Sequence, residues 1–432
     1  MSPSLDRIES DPKLPASADV VVIGGGIIGI ASAYFLARKG LKVAVVEKGH
    51  VGAEQSSRNW GWCRVQGKAL AEVPLAKASL AIWDRLAGEI GHDLGFKRSG
   101  ILLVTKDPAE LANWESWTEK ARDFQIPGRI LNSQEVAEMR PSAEPWLAGW
   151  HSPPDGRAEP SRAAPALALG ARALGVTIHQ GCAARGLETG GGAVSGVITE
   201  HGSIRANRVL LAGGAWASMF CRRHGIDFPQ AGVYASACRT SVGPRVTEGA
   251  IGSDGFSIRM RDDGGYTVSQ RGRGRVELTP QGLLYARQFL PMLMKRRKNV
   301  TFGIARSATD GPGGLARWAF DGISPFERMR VLDPEPDMAL IDRMMNQFRA
   351  AYPELRDLKV EQAWGGVIDW TPDSVPVISP IESLRGFFMA AGLCGIGFGL
   401  GPGAGQLAAD IVAGDTPVVD PTPYRHARLL RR

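Results

Sequence analysis

The sequence predicts an α/β chain in which a Rossmann-type dinucleotide-binding domain is threaded with an inserted antiparallel α+β domain. Three observations predict it. A β-branched run, Val20-Val21-Val22-Ile23, leads into Gly24, Gly26 and Gly29 at GxGxxG spacing. An alanine-rich helical stretch, Ile30 to Arg38, then passes through Gly40 to a second apolar strand, Leu41 to Val46, with Glu47 at its end. The length, 432 residues, also exceeds what one simple core supports.

Each part of the opening unit has a physical task. Gly24 permits the tight turn, Gly26 lets the backbone approach a pyrophosphate, and Gly29 lets the helix pack closely on the strand. The helix start, with Ile27 and Ile28, offers free N–H groups and a partial positive charge to phosphates. Glu47, beside Lys48, is placed to accept hydrogen bonds from a ribose diol.

Two further segments favour FAD over a dissociable nicotinamide. Ser56, Ser57, Arg58, Asn59, Trp60, Gly61, Trp62, Cys63 and Arg64 form a polar, aromatic loop suited to an extended cofactor. Near the C-terminus, a strand at Gly386 to Ala391 is followed by Gly392, Gly395, Gly397, Gly399, Gly401, Gly403 and Gly405. Backbone at that glycine density is expected to run against a flat ring, before a helix from about Ala404 to Ala413. That helix start would stabilise negative charge on a reduced flavin.

With Ala212-Gly213-Gly214-Ala215-Trp216-Ala217 and Trp370-Thr371-Pro372-Asp373, these segments resemble the D-amino-acid oxidase family of FAD-dependent oxidoreductases. The likeness runs from about Ala18 to Asp415 and is strongest to the sarcosine oxidase β-subunit and D-amino-acid dehydrogenase branch. It implies a glutathione-reductase-like FAD domain over 18–93, 151–225 and 365–425, and a substrate domain over 94–150 and 226–364. It also implies flavin contacts at Gly395, Ile396, Gly397, Phe398 and Gly399, and backbone beside adenine at Cys182 and Ala183. Some relatives anchor the flavin through a Cys near the place of Gly366. None stands here, so non-covalent FAD is expected. Ile396 and Gly399 occupy the places of a His and a Lys in sarcosine oxidases, which disfavours sarcosine as substrate.

Composition excludes several other classes. Apolar residues at 44% and charged residues at 22% are ordinary for a folded globular chain. The five cysteines are scattered without a CxxC pair, which argues against a disulfide framework or zinc site. Val20 to Ala37 lacks charge, yet its glycine spacing identifies a nucleotide turn rather than a membrane span. Net charge is +7, diffuse except at Lys295 to Lys298 and Arg425 to Arg432, and no nucleic-acid motif accompanies it. The apolar run before Lys295, Leu283 to Met294, leaves open a peripheral membrane or partner-subunit contact, and an oligomer. A cytoplasmic protein, with peripheral attachment at the inner membrane face as a variant, is the expectation.

The chemistry expected is oxidation of the C–N bond of a small amine or amino acid (a D-amino acid, an N-substituted amino acid or an opine). Hydride passes to flavin N5, so the protein supplies position and electrostatics. A substrate carboxylate calls for an Arg, with Arg64 and Arg259 as candidates and Tyr266 and Trp62 as walls. Relatives with oxidase activity place a Lys above the flavin. Tyr266-Thr267-Val268-Ser269 has none, so a quinone or another redox partner is favoured over oxygen as acceptor. Two alternatives remain at this stage: an FAD-dependent 2-hydroxy-acid dehydrogenase, and a flavin-bearing subunit or assembly factor.

Overall fold

Val20–Ile23 lies inside a six-stranded sheet whose order is Val377–Pro380, Phe387–Ala391, Val209–Leu211, Val20–Ile23, Val43–Glu47 and Thr177–Gln180. All neighbours run parallel except the outer pair at Val377–Pro380. Both faces of such a sheet are covered, which is why its strands read as unbroken apolar runs. The computed structural model describes residues 2–297, 300–304 and 311–430. Lys298 of the basic run, and Arg431 and Arg432 of the tail, lie outside the described residues.

Helices Ile27–Arg38, Val73–Ile90, Pro160–Ala173 and Gly397–Ala413 pack on one face of this sheet. On the other lies an antiparallel meander of Ala184–Gly190, Ala193–Thr199 and Gly202–Arg205. The turn at Gly24 needs glycine twice over. Its φ is +112°, and a Cβ there would stand 2.4 Å from the Ala212 carbonyl oxygen.

The C-terminal glycines correct the sequence expectation. The last helix begins at Gly397, not near Ala404, so Gly399 to Gly405 are helical rather than an extended run against a ring. Their role is close packing. A Cβ at Gly401 would meet Ile27 at 2.7 Å, one at Gly403 would meet Ser79 at 2.8 Å, and one at Gly405 would meet Ala31 at 2.3 Å. The helix therefore presses its backbone onto the nucleotide-binding helix and onto Val73–Ile90.

The second sheet has the order Val300–Ile304, Gly274–Leu278, Ala231–Thr240, Tyr266–Ser269, Ser257–Met260, Ala250–Gly252, Ile101–Thr105, Ala148–Ser152 and Arg129–Asn132, with Val360–Trp370 also pairing Ala231–Thr240. It is mixed. Most neighbours are antiparallel, but Ala250–Gly252 with Ile101–Thr105 and Gly274–Leu278 with Val300–Ile304 are parallel. Two of its strands, Ala148–Ser152 and Val360–Trp370, run across the expected boundaries at 150/151 and 364/365. One face packs on helix Met338–Ala351 in a core with Tyr266, Ile258 and Val268. The other turns toward the loop after Val43–Glu47. Among the described residues no helix is long and apolar enough to cross a membrane.

Gly405→Ala is expected to cost about 1–3 kcal/mol through overpacking. Gly190→Ala, where no atom lies within 4 Å of the added carbon, should change stability by less than about 0.5 kcal/mol. Urea denaturation of the two variants checks the difference.

Candidate active site

The end of Val43–Glu47 and the start of the first helix open onto one groove. Its walls include Gly24, Gly26, Glu47, Lys48, Ser56, Ala212, Gly213, Gly214 and Trp216. Glu47 accepts from the Gly25 and Gly49 amides, each at 2.7 Å. Burial raises its carboxyl above the usual range. At the helix start the Ile27 amide donates to Ser56 Oγ at 2.9 Å. Lys48 spans the rim, 2.6 Å from Glu54 and 4.5 Å over the Trp216 ring. A side chain at Gly26 would meet only Ser56 Oγ at 3.3 Å, so a ligand can reach the backbone there. Ala53, Gln55, Ala184, Phe220 and Phe326 also line it. These had no motif to mark them.

At the far end, Gly395 is exposed and Ile396 and Gly397 are half-buried, although buried chain flanks them. A Cβ at Gly399 would touch the Trp62 carbonyl oxygen at 2.8 Å, so the aromatic loop and the last helix meet here. The Trp62 and Trp370 indole N–H groups are buried without partners. Two glycine-lined backbone turns joined by orphaned donors fit an extended, multiply oxygenated cofactor such as FAD.

The second sheet turns one row of residues toward that loop. Leu103, Gly252, Ser257, Ser269, Ala237 and Trp364 are successive cross-strand partners and so share a face. A Cβ at Gly252 would meet both Trp62 and Arg271, at 2.8 and 3.3 Å. The Ser257 and Ser269 hydroxyls are buried and unpartnered, as is Arg271 Nε. Arg271 binds Glu110 through Nη2 at 2.7 Å. Arg64 lies over the Trp62 ring at 5.8 Å and spends one N–H on the Gln66 carbonyl at 2.7 Å. Burial, then the nearby Arg271, pull Arg64 down to about 10, so it stays cationic at neutral pH. Two guanidinium groups and two free hydroxyls around an indole form an anion-accepting corner.

Several residues singled out in the sequence do other work. Arg259 has the parity of Ser257 and faces the loop, but its donors are committed: Glu159 Oε1 at 2.6 Å, the Trp60 carbonyl at 2.7 Å and Thr267 Oγ1 at 3.0 Å. It serves as a structural tie. Tyr266 has the opposite parity. Its hydroxyl donates to the Pro244 carbonyl at 2.6 Å inside the Met338–Ala351 core. Arg58 is buried against Asp333, the Gly365 carbonyl and Ser2. Asn59 staples its own loop through Gln55, Ser56 and Gly61, and Ser57 donates to the Glu54 carbonyl. Trp60 packs edge-on against Trp62. The Cys182 and Ala183 amides are taken by the Glu47 carbonyl and Glu200, so the groove reaches Ala184 instead. Gly366 sits on the strand beside Arg58, and Phe398 packs inward on Trp83. Asp373 pairs with Arg428 at 2.7 Å, away from the groove.

The acid that matters near the flavin end is Asp369. It accepts from the Gly392 amide at 2.8 Å, Gln55 Nε2 at 3.0 Å and Gln230 Nε2 at 3.5 Å. Burial pushes its carboxyl up to about 6. It fixes the turn before Gly395 to the groove wall, a role that the sequence motif ending in Asp373 conceals.

A glycine-lined groove on the parallel sheet and an aromatic, guanidinium-lined face on the second sheet are the parts of a dinucleotide-dependent oxidoreductase. Residues 19–411 match the family described as FAD dependent oxidoreductase, DAO, and the chain belongs to that family. FAD is therefore the cofactor. The fold is similar to that of L-amino acid deaminase from Proteus myxofaciens, solved in complex with anthranilate: TM-score 0.93, 30% identity, covering 99% of this chain and 98% of that one. In sequence the chain is 26% identical to sarcosine oxidase subunit beta of Arthrobacter sp, over 94% of this chain and 89% of the other. It is 25% identical to mitochondrial dimethylglycine dehydrogenase of Rattus norvegicus, over 96% of this chain but 46% of the other. The chain thus spans a little under half the length of the dimethylglycine dehydrogenases it matches.

Arg259→Met should destabilise the holoprotein by about 3–5 kcal/mol by stranding buried Glu159. If instead stability holds and only KM rises, Arg259 is a substrate ligand after all. A second expectation concerns pH. The folded-state carboxyl of Asp369, at about 6, binds its proton more tightly than the unfolded one. Stability should fall as pH rises from about 4 to 6 and level off above. Denaturant titrations of wild type and Asp369→Asn across pH 4–7 should show a steeper fall in the wild type than in the variant.

Proposed function

We propose that this chain is an amino-acid dehydrogenase that oxidises the C–N bond of a small substrate bearing a free carboxylate. The carrying observation is the pair Arg64 and Arg271 beneath Trp62. Among the described residues Arg64 has no carboxylate partner, and Arg271 keeps a buried Nε free beside two unpartnered serine hydroxyls. Half-buried cations in that state await an anion. Glu110 holds Arg271 from helix Pro108–Lys120, and burial next to Glu110 raises Asp254 to about 6.

Bound FAD supplies the hydride acceptor. The chain orients the carboxylate at Arg271 and Arg64 and holds the flavin end through the turn fixed by Asp369. It keeps the sheet face dry with Leu103, Trp62 and Trp364. The substrate amine arrives neutral and leaves as an imine. The parallel sheet with its groove would serve as the cofactor unit and the larger sheet as the substrate unit. The flavin is held without a covalent link. Burial pushes the Cys394 thiol, next to Gly395, up to about 12, where little thiolate exists. A quinone-like acceptor fits better than oxygen, since Tyr266–Ser269 presents Thr267 and Ser269, and no lysine, to this face. The protein would work in the cytoplasm.

Likeness to an L-amino acid deaminase and to enzymes named for sarcosine and dimethylglycine supports an α-carboxylate substrate. Anaerobic titration of the flavin band against L-amino acids, D-amino acids, N-methylamino acids, opines and 2-hydroxy acids tests the reading. Bleaching by an amino acid or N-substituted relative is expected. Bleaching by 2-hydroxy acids alone sinks it. With the reactive substrate, Arg271→Met should raise KM about 10–100-fold with a smaller change in kcat.

A further inference from the structure

One surface lies outside the cofactor groove and the substrate face. The short helix Pro280–Leu284 and the helix Ala286–Arg296 leave Leu283, Leu284, Leu290 and Met294 exposed, at 71, 55, 54 and 66%. Leu290 and Met294 are four residues apart and so share a helical face. Beside them, Leu278 and Phe302 project from paired strands at the edge of the second sheet, 53 and 60% exposed. Isolated apolar residues on a surface are ordinary; a run of six from adjoining elements is not.

Charge is just as lopsided. No Asp or Glu occurs between Glu277 and Asp310. Arg287, Lys295, Arg296 and Arg297 border the leucines, and among the described residues none of the four has a carboxylate partner. The helix is anchored from beneath. Phe289 is buried, Arg296 stacks over the Trp370 ring at 4.5 Å, and Ser374 donates to the Met292 thioether at 3.9 Å. The outward face is therefore presented by a held element rather than by a loose arm.

We infer that this face docks on an anionic lipid surface, the leucines and Met294 entering the headgroup boundary while the basic residues meet lipid phosphates. Apolar area with a basic border and no acid is the chemistry of an in-plane amphipathic helix. A protein partner of acidic character would find few hydrogen-bonding groups across the leucine cluster, and a second copy would bring like charge against like. The contact refines a cytoplasmic location to the membrane's inner face. It does not depend on which substrate is oxidised.

The test is co-sedimentation of the FAD-loaded full chain with phosphatidylcholine vesicles, alone or with about one quarter phosphatidylglycerol. Binding is expected to the anionic vesicles and to weaken in about 0.5 M salt. Leu283→Glu with Met294→Glu should lower the partition coefficient about tenfold or more, and Lys295→Glu with Arg297→Glu should act in the same direction. Circular dichroism and flavin content, unchanged in both double variants, certify the fold. No sedimentation with anionic vesicles overturns the inference, as does binding that both variants retain. A dimer by light scattering that Leu283→Glu with Met294→Glu converts to monomer also overturns it, assigning the face to a second copy.

Discussion

The buried ion pair between Arg259 and Glu159 is the constraint on which the rest of the site depends. Glu159 stands at the start of helix Pro160–Ala173 beneath the parallel sheet, and Arg259 comes from the second sheet. Between them the aromatic loop is clamped. Arg259 Nε holds the Trp60 carbonyl, and the lack of a side chain at Gly61 lets the guanidinium pass, where a Cβ would lie 2.6 Å from Nε. A paired charge this deep is justified less by net stability than by specificity of geometry, because few other arrangements satisfy both partners. It sets how far the substrate face stands from the groove.

Asp369 makes the second tie, at the opposite end. Its oxygens gather Gln55 from the groove wall, Gln230 from the start of the long second-sheet strand, and the Gly392 amide. Gln230 in turn donates to the Gly214 carbonyl on the groove floor. Three segments, at Gln55, Gln230 and Gly392, thus share one carboxylate. The turn carrying Gly395 keeps its open shape because Asp369, rather than local propensity, dictates it; Cys394 beside it sits at φ +51°, an uncommon angle for a residue with a side chain.

How much of this was legible beforehand follows from the range of each signal. The fingerprint from Val20 to Glu47 is local, with turn, helix and acid at fixed offsets, and sequence reading placed it to within a few residues. The late glycines were seen but misassigned. Glycine density signals close approach without naming the neighbour, and here the neighbours are Ile27, Ser79 and Ala31 rather than a ring. Arg259 and Tyr266 lie on strands expected to border the pocket; strand parity turns Tyr266 into the opposite core, whereas Arg259 faces the loop and is claimed by Glu159, the Trp60 carbonyl and Thr267. The same parity held the missing answer. Arg271 lies two residues beyond Ser269, beside the row that faces Trp62, and counting alternate positions from the Asp262–Gly265 turn would have raised it. Asp369 and Glu159 could not have been found this way, since their partners come from remote segments.

The electrostatics of the whole site now make sense as one unfinished circuit. The groove presents a helix start to the cofactor phosphates, and the sheet face presents Arg64 and Arg271 to a carboxylate, within a chain of net charge +7. Each of these positive elements is buried or half-buried and is only partly answered by protein acids: Glu110 holds one edge of Arg271 with Asp254 at 3.9 Å, and burial, then the nearby Arg271, lower Arg64. Such cations are costly to hold in place, and the cost is repaid only when anions arrive. A cofactor with two phosphates and a substrate with one carboxylate supply them at the positions left open. Ligands that bind the folded chain alone must then stabilise it, so the polar groups that make the site reactive toward small acids also couple its order to occupancy. The protein ties at Glu159 and Asp369 hold the frame until then. They are fully satisfied within the chain, whereas Arg64, Arg271, Ser257 and Ser269 are not, and that contrast separates the residues that build the site from those that use it.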